Sequence, residues 1–441
     1  MNDPCGLVRY DGRFLCYYQW NQYGCDHSHK DWGLFASEDL VRWSSYGPVL
    51  AADESYDKDG VYTGTAIERG GRLLAYYAGN ARAESGQRVS SQCLAVSDDG
   101  ESFRKVGPVV VNTGQFTGHF RDPCVFERDG GLLMLIGAQR TANNLGALAL
   151  SRSRDGYAWS APTVVATSRE VQMIECPDLL DMEGGSVLTY CCQYRDDERD
   201  KATSYSAVYK AVDDRLFSGN VGDGFLDEGY LPIDEGFDFY APQVFRGVEG
   251  RVIMCAWMSL MDGSHERAFC ADDDRLHCLT IPREVTLVGG ALVQRPVREL
   301  FGLIAGELDL PRADDGTMTV TKLPKALLLT VSQACVHSLD IVLGKGTGAM
   351  IEVTYDVSRG ILTLKRTDWM SGSLESRSVQ VASLNDLEAW VDATSVELFV
   401  NGGSHVLSAR MKAGGEFTEV AVQGIDGHAV MHAYKLEGGR R

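Results

Sequence analysis

The sequence predicts an all-β protein: a five-bladed β-propeller followed by a C-terminal β-sandwich. Three observations support this prediction. Glycine is abundant, at 48 of 441 residues, whereas proline is scarce at 12, which is typical of a chain with many tight turns. A short apolar run that begins at a glycine recurs five times in the first part of the chain. No long segment has the 3.6-residue hydrophobic period of an amphipathic helix.

The five apolar runs indicate one repeated structural unit. They read GRFLCYY from Gly12, GRLLAYY from Gly71, GGLLMLI from Gly130, GSVLTYC from Gly185 and GRVIMCA from Gly250. Their glycines are 55 to 65 residues apart, and each run is short, apolar and bounded by turn residues, as in a buried strand. A period of this length accommodates four strands and their loops. Five such units predict a propeller over residues 1–300.

A second pattern recurs in phase with the first. It reads S-x-D-[LG]-x-x-[WF] at Ser37–Trp43, Ser97–Phe103 and Ser153–Trp159, with serines 60 and 56 residues apart. The pattern is typical of a turn that leaves one strand and places an aromatic side chain near the next. Because two independent patterns keep one period, coincidence among common turn residues explains them poorly.

Residues 301–441 are predicted to form a separate β-sandwich. Short β-rich runs recur about every ten residues, which suits two packed antiparallel sheets. Among them are ALLLTVS, AMIEVTYDV, GILTLKR and VELFVNGG, separated by Gly, Asp, Asn or Lys. Segment 286–305 is the predicted passage between the two domains.

The charge balance excludes several partner classes. With 42 basic and 61 acidic residues, the net charge is −19, which disfavours nucleic acid and anionic membranes. No run of 18 apolar residues and no secretory leader is visible, so we expect a cytoplasmic protein. The twelve cysteines are irregularly spaced, and we expect mostly reduced, buried thiols. No metal cluster stands out, and we expect neither a metal nor a cofactor.

A polar residue precedes each repeat glycine by eight to ten positions. These residues are Asp3, Thr63, Asp122, Glu175 and Tyr240. A propeller brings the innermost strand of every blade to one axis, so these side chains are expected to converge. We expect the three carboxylates to occupy equivalent places in the first, third and fourth blades. Glycoside hydrolysis uses one carboxyl group as an acid and another as a nucleophile or base, and an arginine and aromatic rings can bind the sugar.

Three motifs resemble the signature motifs of glycoside hydrolase family 32, which contains invertases, sucrose-6-phosphate hydrolases, levanases and inulinases. They are Met1–Pro4 (MNDP), Phe120–Pro123 (FRDP) and Glu175–Asp178 (ECPD). Further similar segments follow in the family's order over nearly the whole chain, at Gln19–Asn21, Ser37–Trp43, Asp238–Gln243, Cys278–Leu287 and Val391–Gly403. The resemblance implies a five-bladed propeller with a C-terminal sandwich, in agreement with the repeat count.

The resemblance also implies a function. The chain would be a retaining β-fructofuranosidase that hydrolyses terminal β-D-fructofuranosyl residues of sucrose, sucrose 6-phosphate or fructo-oligosaccharides. Asp3 would be the nucleophile and Glu175 the general acid/base. Asp122, together with Arg121, would stabilise the transition state by holding fructose hydroxyls. The fructosyl subsite would be lined by Asn2, Gln19, Tyr62, Thr63, Tyr240 and Trp257.

The sequence departs from the family pattern in several places. Cys5 replaces the second asparagine of the first motif, and His27 falls where the family has a tryptophan that floors the sugar site. Asp31 and Leu34 replace two histidines, and the family has further residues ahead of the first motif. Three alternatives therefore stay open: a fructosyltransferase on the same fold, a fructan-binding relative that no longer turns over, and an inverting arabinan or xylan hydrolase.

Overall fold

The protein, seen in a computed structural model, is built almost entirely of β-strands, which confirms the all-β prediction. The structure describes residues 1–194, 205–260, 276–321, 323–332, 338–343, 350–412, 419–423 and 430–438. Within these ranges there are 32 strands, one single-turn helix (α1, Arg215–Ser218) and two 3-10 turns, Phe225–Asp227 and Arg298–Leu303. In the same ranges no helix has the length and apolarity needed to span a membrane.

Five sheets have four antiparallel strands each, and in each the spatial order follows the chain order. The first contains β1 (Pro4–Tyr10), β2 (Arg13–Trp20), β3 (Asp31–Ser37) and β4 (Ser44–Leu50). The second contains β5 (Val61–Arg69), β6 (Arg72–Arg82), β7 (Arg88–Ser97) and β8 (Arg104–Val111). The third contains β9 (Phe116–Arg128), β10 (Gly131–Arg140), β11 (Gly146–Ser153) and β12 (Thr163–Thr167). The fourth contains β13 (Met173–Met182), β14 (Gly185–Gln193), β15 (Tyr205–Val212) and β16 (Leu231–Pro232). The fifth contains β17 (Tyr240–Val244), β18 (Val252–Trp257), β19 (Arg283–Val288) and β20 (Ala291–Pro296).

Two six-stranded antiparallel sheets follow and share one hydrophobic core, in which Leu329 and Leu398 of one sheet meet Ile341 and Leu364 of the other. One is formed, in spatial order, by β21 (Ile304–Glu307), β32 (Val430–Leu436), β23 (Leu327–Ser332), β28 (Leu387–Asp392), β29 (Ser395–Val400) and β30 (His405–Arg410). The other is formed by β22 (Met318–Thr321), β31 (Glu419–Gln423), β24 (Ser338–Leu343), β25 (Ile351–Asp356), β26 (Ile361–Thr367) and β27 (Leu374–Gln380).

Contacts between Cα atoms divide the chain into two compact units. The first contains most residues up to Gly290. The second contains Ala291–Arg441 together with the short segment Asp234–Phe239.

The repeated sequence patterns correspond to repeated local structures. The five apolar runs form the second strand of each four-stranded sheet, and their glycines lie at the preceding hairpin turn, where φ ranges from 69° to 142°. Glycine adopts this left-handed backbone without the steric cost that a Cβ brings. The S-x-D pattern forms the turn after the third strand: in each of its three copies the aspartate Oδ1 accepts two backbone N–H bonds from the residues two and three positions further on.

The first strands of the five sheets (β1, β5, β9, β13 and β17), here called the leading strands, lie side by side. Each contacts the next, and β17 contacts β1. A parallel bridge between Val8 and Arg246 makes the last of these contacts, in which the Arg9 and Arg246 amides donate to the carbonyls of Arg246 and Leu7. Apolar side chains fill the space between consecutive sheets, as between the first and second, where Leu15 and Leu34 meet Leu73.

A buried carboxylate joins three of the leading strands. Asp178 in β13 is only 1 % exposed, and its Oδ1 pairs with the guanidinium of Arg246 and accepts from the Cys124 thiol of β9 over 3.3 Å. Its Oδ2 accepts from the backbone N–H of Val244 in β17 over 3.1 Å. Because burial removes water as an alternative partner, Asp178 and Arg246 each depend on the other.

We therefore expect Asp178→Ala to lower the free energy of unfolding by about 3–5 kcal/mol, the usual cost of leaving one member of a buried ion pair without the other. Urea unfolding followed by tryptophan fluorescence measures this change. Asp181→Ala, at an exposed site further along the same strand, is the control and should cost less than about 0.5 kcal/mol. Equal effects of the two variants would contradict a structural role for the pair.

Most of the described cysteines agree with the expectation of reduced, buried thiols. Nine have free thiols, and all of these except Cys278 are buried. Cys25 is the exception among the described cysteines, since it is disulfide-bonded.

Candidate active site

Every leading strand has a β-bulge or similar irregularity at a comparable place. Two consecutive residues of the strand lose their pairing with the second strand at this point. The irregularities fall between Cys5 and Val8, Val61 and Gly64, Arg121 and Cys124, Glu175 and Asp178, and Tyr240 and Gln243. A bulge re-aims side chains and frees backbone groups from the sheet, and bulges are common beside active sites.

The Asp122-Pro123 and Cys176-Pro177 pairs of the sequence motifs belong to these bulges. Asp122, Cys176 and Ala241 have φ values of 62°, 45° and 48°, and each is followed by a proline. Proline has no N–H to offer a neighbouring strand, so it fits the unpaired position of a bulge. The left-handed backbone at Cys176 directs its N–H to Asp122 Oδ2 over 3.0 Å, a bond that regular pairing would not allow.

The three predicted carboxylates converge, but the expectation that they occupy equivalent places is wrong. Asp3 lies two residues before Cys5, the last paired residue ahead of the first bulge. Glu175 is itself the last paired residue of its strand, and Asp122 is inside its bulge. Their different positions along the strands place the three carboxyl groups around one point instead of in a ring at one level.

Asp3 is held by three side-chain donors. Asn2 Nδ2 donates to Oδ1 over 3.0 Å, while Thr63 Oγ1 and Gln19 Nε2 donate to Oδ2 over 2.5 and 3.3 Å. Gln19 also donates to Thr63 and accepts from Asn2. The carboxylate orientation is therefore set by the first and second sheets together, and Oδ1 has fewer donors than Oδ2. Lys30, a buried residue that the sequence did not indicate, donates to the side-chain amide oxygen Oδ1 of Asn2 and so turns the Asn2 NH₂ group toward Asp3.

Glu175 is 8 % exposed and has partners on both oxygens. Arg121 donates to Oε1 through Nε and Nη2. Tyr240 and Gln193 donate to Oε2 over 2.7 and 2.5 Å. Burial opposes the charge of Arg121, but the carboxylates of Glu175 and Asp122 outweigh this effect and raise its pKa.

Asp122 is affected by the charges of both other carboxyl groups. Burial raises its pKa well above the usual range, opposed by the Arg121 guanidinium and increased by the negative charges of Glu175 and Asp3. Arg121 Nε is 3.8 Å from Asp122 Oδ2. Such clustering of like charges costs stability, and this cost is typical of functional sites.

The Cys176 thiol lies where the carboxyl groups meet. Its Sγ is 3.9 Å from Asp3 Oδ2 and 3.7 Å from Asp122 Oδ2. A hydrogen bond with Cys191, burial and the neighbouring carboxylates raise the pKa of the Cys176 thiol, so it stays protonated and can donate. The sequence signal for Cys176 was its place in the ECPD motif, whereas Gln193 had none, because only strand pairing brings it beside Glu175.

The remaining predicted residues lie around this centre. Tyr62 is half-buried, and its carbonyl accepts from the indole of Trp32. His27 is partly exposed, and its Nδ1 is 2.8 Å from the Lys30 ammonium. His27 and Lys30 lie with Asn2 on a cavity of about 440 Å³. Trp257 is buried and packs against the rings of Tyr240 and His27.

The departures from the family pattern have local structural roles. The Cys5 thiol donates to the Asp3 carbonyl over 3.3 Å. Asp31 is buried and accepts from Gln22 and His29 over 2.7 and 2.9 Å, so it braces the loop that contains His27. Leu34 belongs to the apolar core between the first two sheets.

An all-β chain that gathers three carboxyl groups, an arginine and a tyrosine at the bulges of adjacent strands has the features of a glycoside hydrolase. Comparison with known proteins agrees. The profile described as "Glycosyl hydrolases family 32 N-terminal domain" matches residues 1–296, and "Glycosyl hydrolases family 32 C terminal" matches residues 313–432. The chain belongs to glycoside hydrolase family 32, and it is a glycoside hydrolase.

Similar proteins cover nearly the whole chain. Sucrose-6-phosphate hydrolase of Bacillus subtilis is 34% identical over 425 residues, which are 93% of this chain and 86% of that protein. The Klebsiella pneumoniae enzyme of the same name is 33% identical over 94% of this chain and 86% of its own length. The solved structure of sucrose-6-phosphate hydrolase from Lactobacillus gasseri superposes with a TM-score of 0.85 at 25% identity, over 99% of this chain and 90% of that one. A family 32 β-fructofuranosidase of Bombyx mori gives a TM-score of 0.83 at 25% identity, over 99% and 91% of the two chains.

Proposed function

We propose that the protein is a retaining β-fructofuranosidase that hydrolyses terminal β-D-fructofuranosyl residues of sucrose, sucrose 6-phosphate or fructo-oligosaccharides. One observation carries this proposal. The Cys176 sulfur is within 4 Å of both Asp3 and Asp122, and Glu175 is the adjoining residue. Three carboxyl groups of different hydrogen-bonding environment therefore surround a single point, and two of them supply the nucleophile and the acid/base that retaining hydrolysis needs.

Asp3 is the proposed nucleophile. Its Oδ2 is occupied by Thr63 and Gln19, which orient the carboxylate so that Oδ1 is available to attack the anomeric carbon of the fructosyl unit. Asn2 donates to Oδ1 and can keep this hydrogen bond while the oxygen loses its negative charge and forms the ester bond. The attack forms a fructosyl ester on Asp3 and releases the aglycone.

Glu175 is the proposed general acid and base. It protonates the leaving oxygen in the first step, and in the second it takes a proton from the water that cleaves the fructosyl ester. Arg121 and Tyr240 hold its two oxygens in place. Asp122 and Arg121 are proposed to hold hydroxyl groups of the fructosyl ring. The same subsite is proposed to be lined by Asn2, Gln19, His27, Tyr62, Thr63, Tyr240 and Trp257.

The substrate follows from the chemistry of the site and the names of the relatives. The bacterial relatives are sucrose-6-phosphate hydrolases, and the Bombyx mori relative is a β-fructofuranosidase that has also been solved with sucrose. These names favour hydrolysis over fructosyl transfer and over binding without turnover. A cytoplasmic location stays a prediction.

The finer architecture is part of the proposal. The cycle of contacts through the five leading strands supports a five-bladed propeller, with each four-stranded sheet as one blade. The common core of the two six-stranded sheets supports a sandwich. We place the propeller at residues 1–300 and the sandwich at residues 301–441.

Product analysis by proton NMR tests the proposed reaction. Fresh enzyme with sucrose or sucrose 6-phosphate should release β-fructose first, since two displacements at the anomeric carbon restore its configuration. A slow substrate should leave a fructosyl ester on the peptide that contains Asp3, visible by mass spectrometry. Early product of inverted configuration would show that Asp3 is a base, and the absence of free fructose with accumulation of longer saccharides would identify a transferase.

A further inference from the structure

An arginine outside the proposed catalytic set lies at the rim of the site. Arg88 begins β7, next to the hairpin that joins β6 to β7 at the end where Tyr62 and Thr63 lie. Arg82 is directly opposite Arg88 in this hairpin. Two like charges facing each other across a strand pair destabilise the hairpin, so the pair is unfavourable unless something neutralises it.

The backbone of β9 holds Arg88 in place. Gly118 lies directly behind it: a Cβ at position 118 would be 2.8 Å from the Arg88 carbonyl oxygen and 2.9 Å from its Cβ. These distances are shorter than real Cβ contacts, so the close approach requires glycine. On the other side, the guanidinium lies 5.9 Å from the ring centre of Tyr62. Arg88 is therefore a positioned side chain that faces the site.

Arg88 has little compensating negative charge. It is half-buried, and among the described residues it makes no ion pair with a carboxylate. Burial lowers the pKa of Arg88, and the charges of Arg121 and Arg82 lower it further. Tyr62 and Glu175 have the opposite effect and raise it. Both Glu175 oxygens already have other donors. A guanidinium in such surroundings favours an anion from solution.

A second donor of the right kind is nearby. His119 accepts from Arg121 Nη1 through Nδ1 over 2.9 Å, so its Nε2 carries the hydrogen. Burial and the charges of Arg121 and Arg88 lower the pKa of His119 to about 4, so the ring is neutral at physiological pH. His119 can therefore donate one hydrogen bond without adding to the repulsion among the arginines.

We propose that Arg88, assisted by Arg82 and His119, forms a subsite for the phosphate monoester of the leaving sugar. This inference rests on the proposed function. A guanidinium binds phosphate through two parallel hydrogen bonds, and a phosphate dianion neutralises the repulsion between Arg82 and Arg88. Glu175 protonates the oxygen of the leaving sugar, and the Arg121 guanidinium that holds Glu175 also donates to His119 over 2.9 Å, so the subsite adjoins the side from which the leaving sugar departs. The phosphate is therefore on the leaving sugar, and a neutral fructan would leave Arg88 without a counter-ion.

Comparison of Arg88→Gln with the wild type tests this subsite. We expect the ratio of kcat/KM for sucrose 6-phosphate to that for sucrose to fall about 10- to 100-fold, the range expected for a lost charge-assisted hydrogen-bond pair. Arg104→Gln is the matched control, because Arg104 is exposed at the opposite end of the same sheet. It should leave both values unchanged.

Binding of the product gives a readout that does not depend on turnover. In calorimetry, glucose 6-phosphate should bind the wild type more tightly than glucose or inorganic phosphate does, and Arg88→Gln should remove this preference. Equal loss of kcat/KM on both substrates, or equal binding of glucose 6-phosphate and inorganic phosphate, would overturn the sugar-phosphate subsite. A wild type that turns over neither substrate but keeps the binding preference would refute the proposed function and not the subsite.

Discussion

Asp3→Asn is expected to reduce kcat on sucrose by about 10⁴-fold or more, because an amide cannot form the fructosyl ester. The substitution has nearly the volume of the native side chain, and its carbonyl oxygen can still accept from Thr63 and Gln19. KM should change far less than kcat. Initial rates with sucrose, measured as released fructose, give both constants.

The loss should come without a loss of folding. Removing the Asp3 charge relieves repulsion with Asp122, so the free energy of unfolding should stay equal or rise. Asp11→Asn is the matched control, since Asp11 is exposed in the turn that ends β1 and has φ of 47°, which asparagine tolerates. If Asp3→Asn kept normal turnover, another group would have to be the nucleophile.

Glu175→Gln is expected to have the second largest effect, a fall of about 10²–10⁴-fold in kcat, the usual range for loss of a general acid and base. The fall should be smaller for a fructoside with a good leaving group, because such a group needs no proton in the first step. Azide should then restore turnover by attacking the fructosyl ester without a general base, and the product should be β-fructosyl azide. Rates with the two substrate types, with and without azide, measure these effects.

The same substitution also removes the carboxylate that Arg121 binds, so some stability should be lost with the activity. Glu183→Gln is the control, as Glu183 is exposed at the far end of the β13–β14 hairpin. Equal losses on substrates with good and poor leaving groups, and no rescue by azide, would exclude Glu175 as the acid and assign it a role in binding only.

Local patterns were sufficient for the elements of the fold. The glycine-led runs predicted five buried strands, and the S-x-D pattern predicted the turns that follow the third strands, because both depend on backbone chemistry within a few residues. The phase of polar residues and the motifs around Asp3, Asp122 and Glu175 identified the catalytic candidates. A sequence can identify such residues because their spacing along the chain and their neighbouring motif residues are both local features.

Contacts between distant strands were not visible. Gln193 meets Glu175 through the pairing of β13 with β14, and Arg88 meets the site only because Gly118 of another sheet lets it approach. The sequence contains no dense basic run, yet the structure brings Arg82, Arg88, His119 and Arg121 close enough together for their charges to interact.

The amino-acid order alone therefore established the all-β class, the repeats, the family resemblance and the three carboxylates. The tertiary structure established that these carboxylates lie at different positions relative to their bulges, and that Arg88 has no carboxylate partner among the described residues. The physical reason is the distance in sequence over which each kind of interaction acts. Turn and strand preferences are set by neighbours along the chain, whereas burial, charge compensation and the aim of a side chain depend on groups that are remote in sequence and adjacent in space.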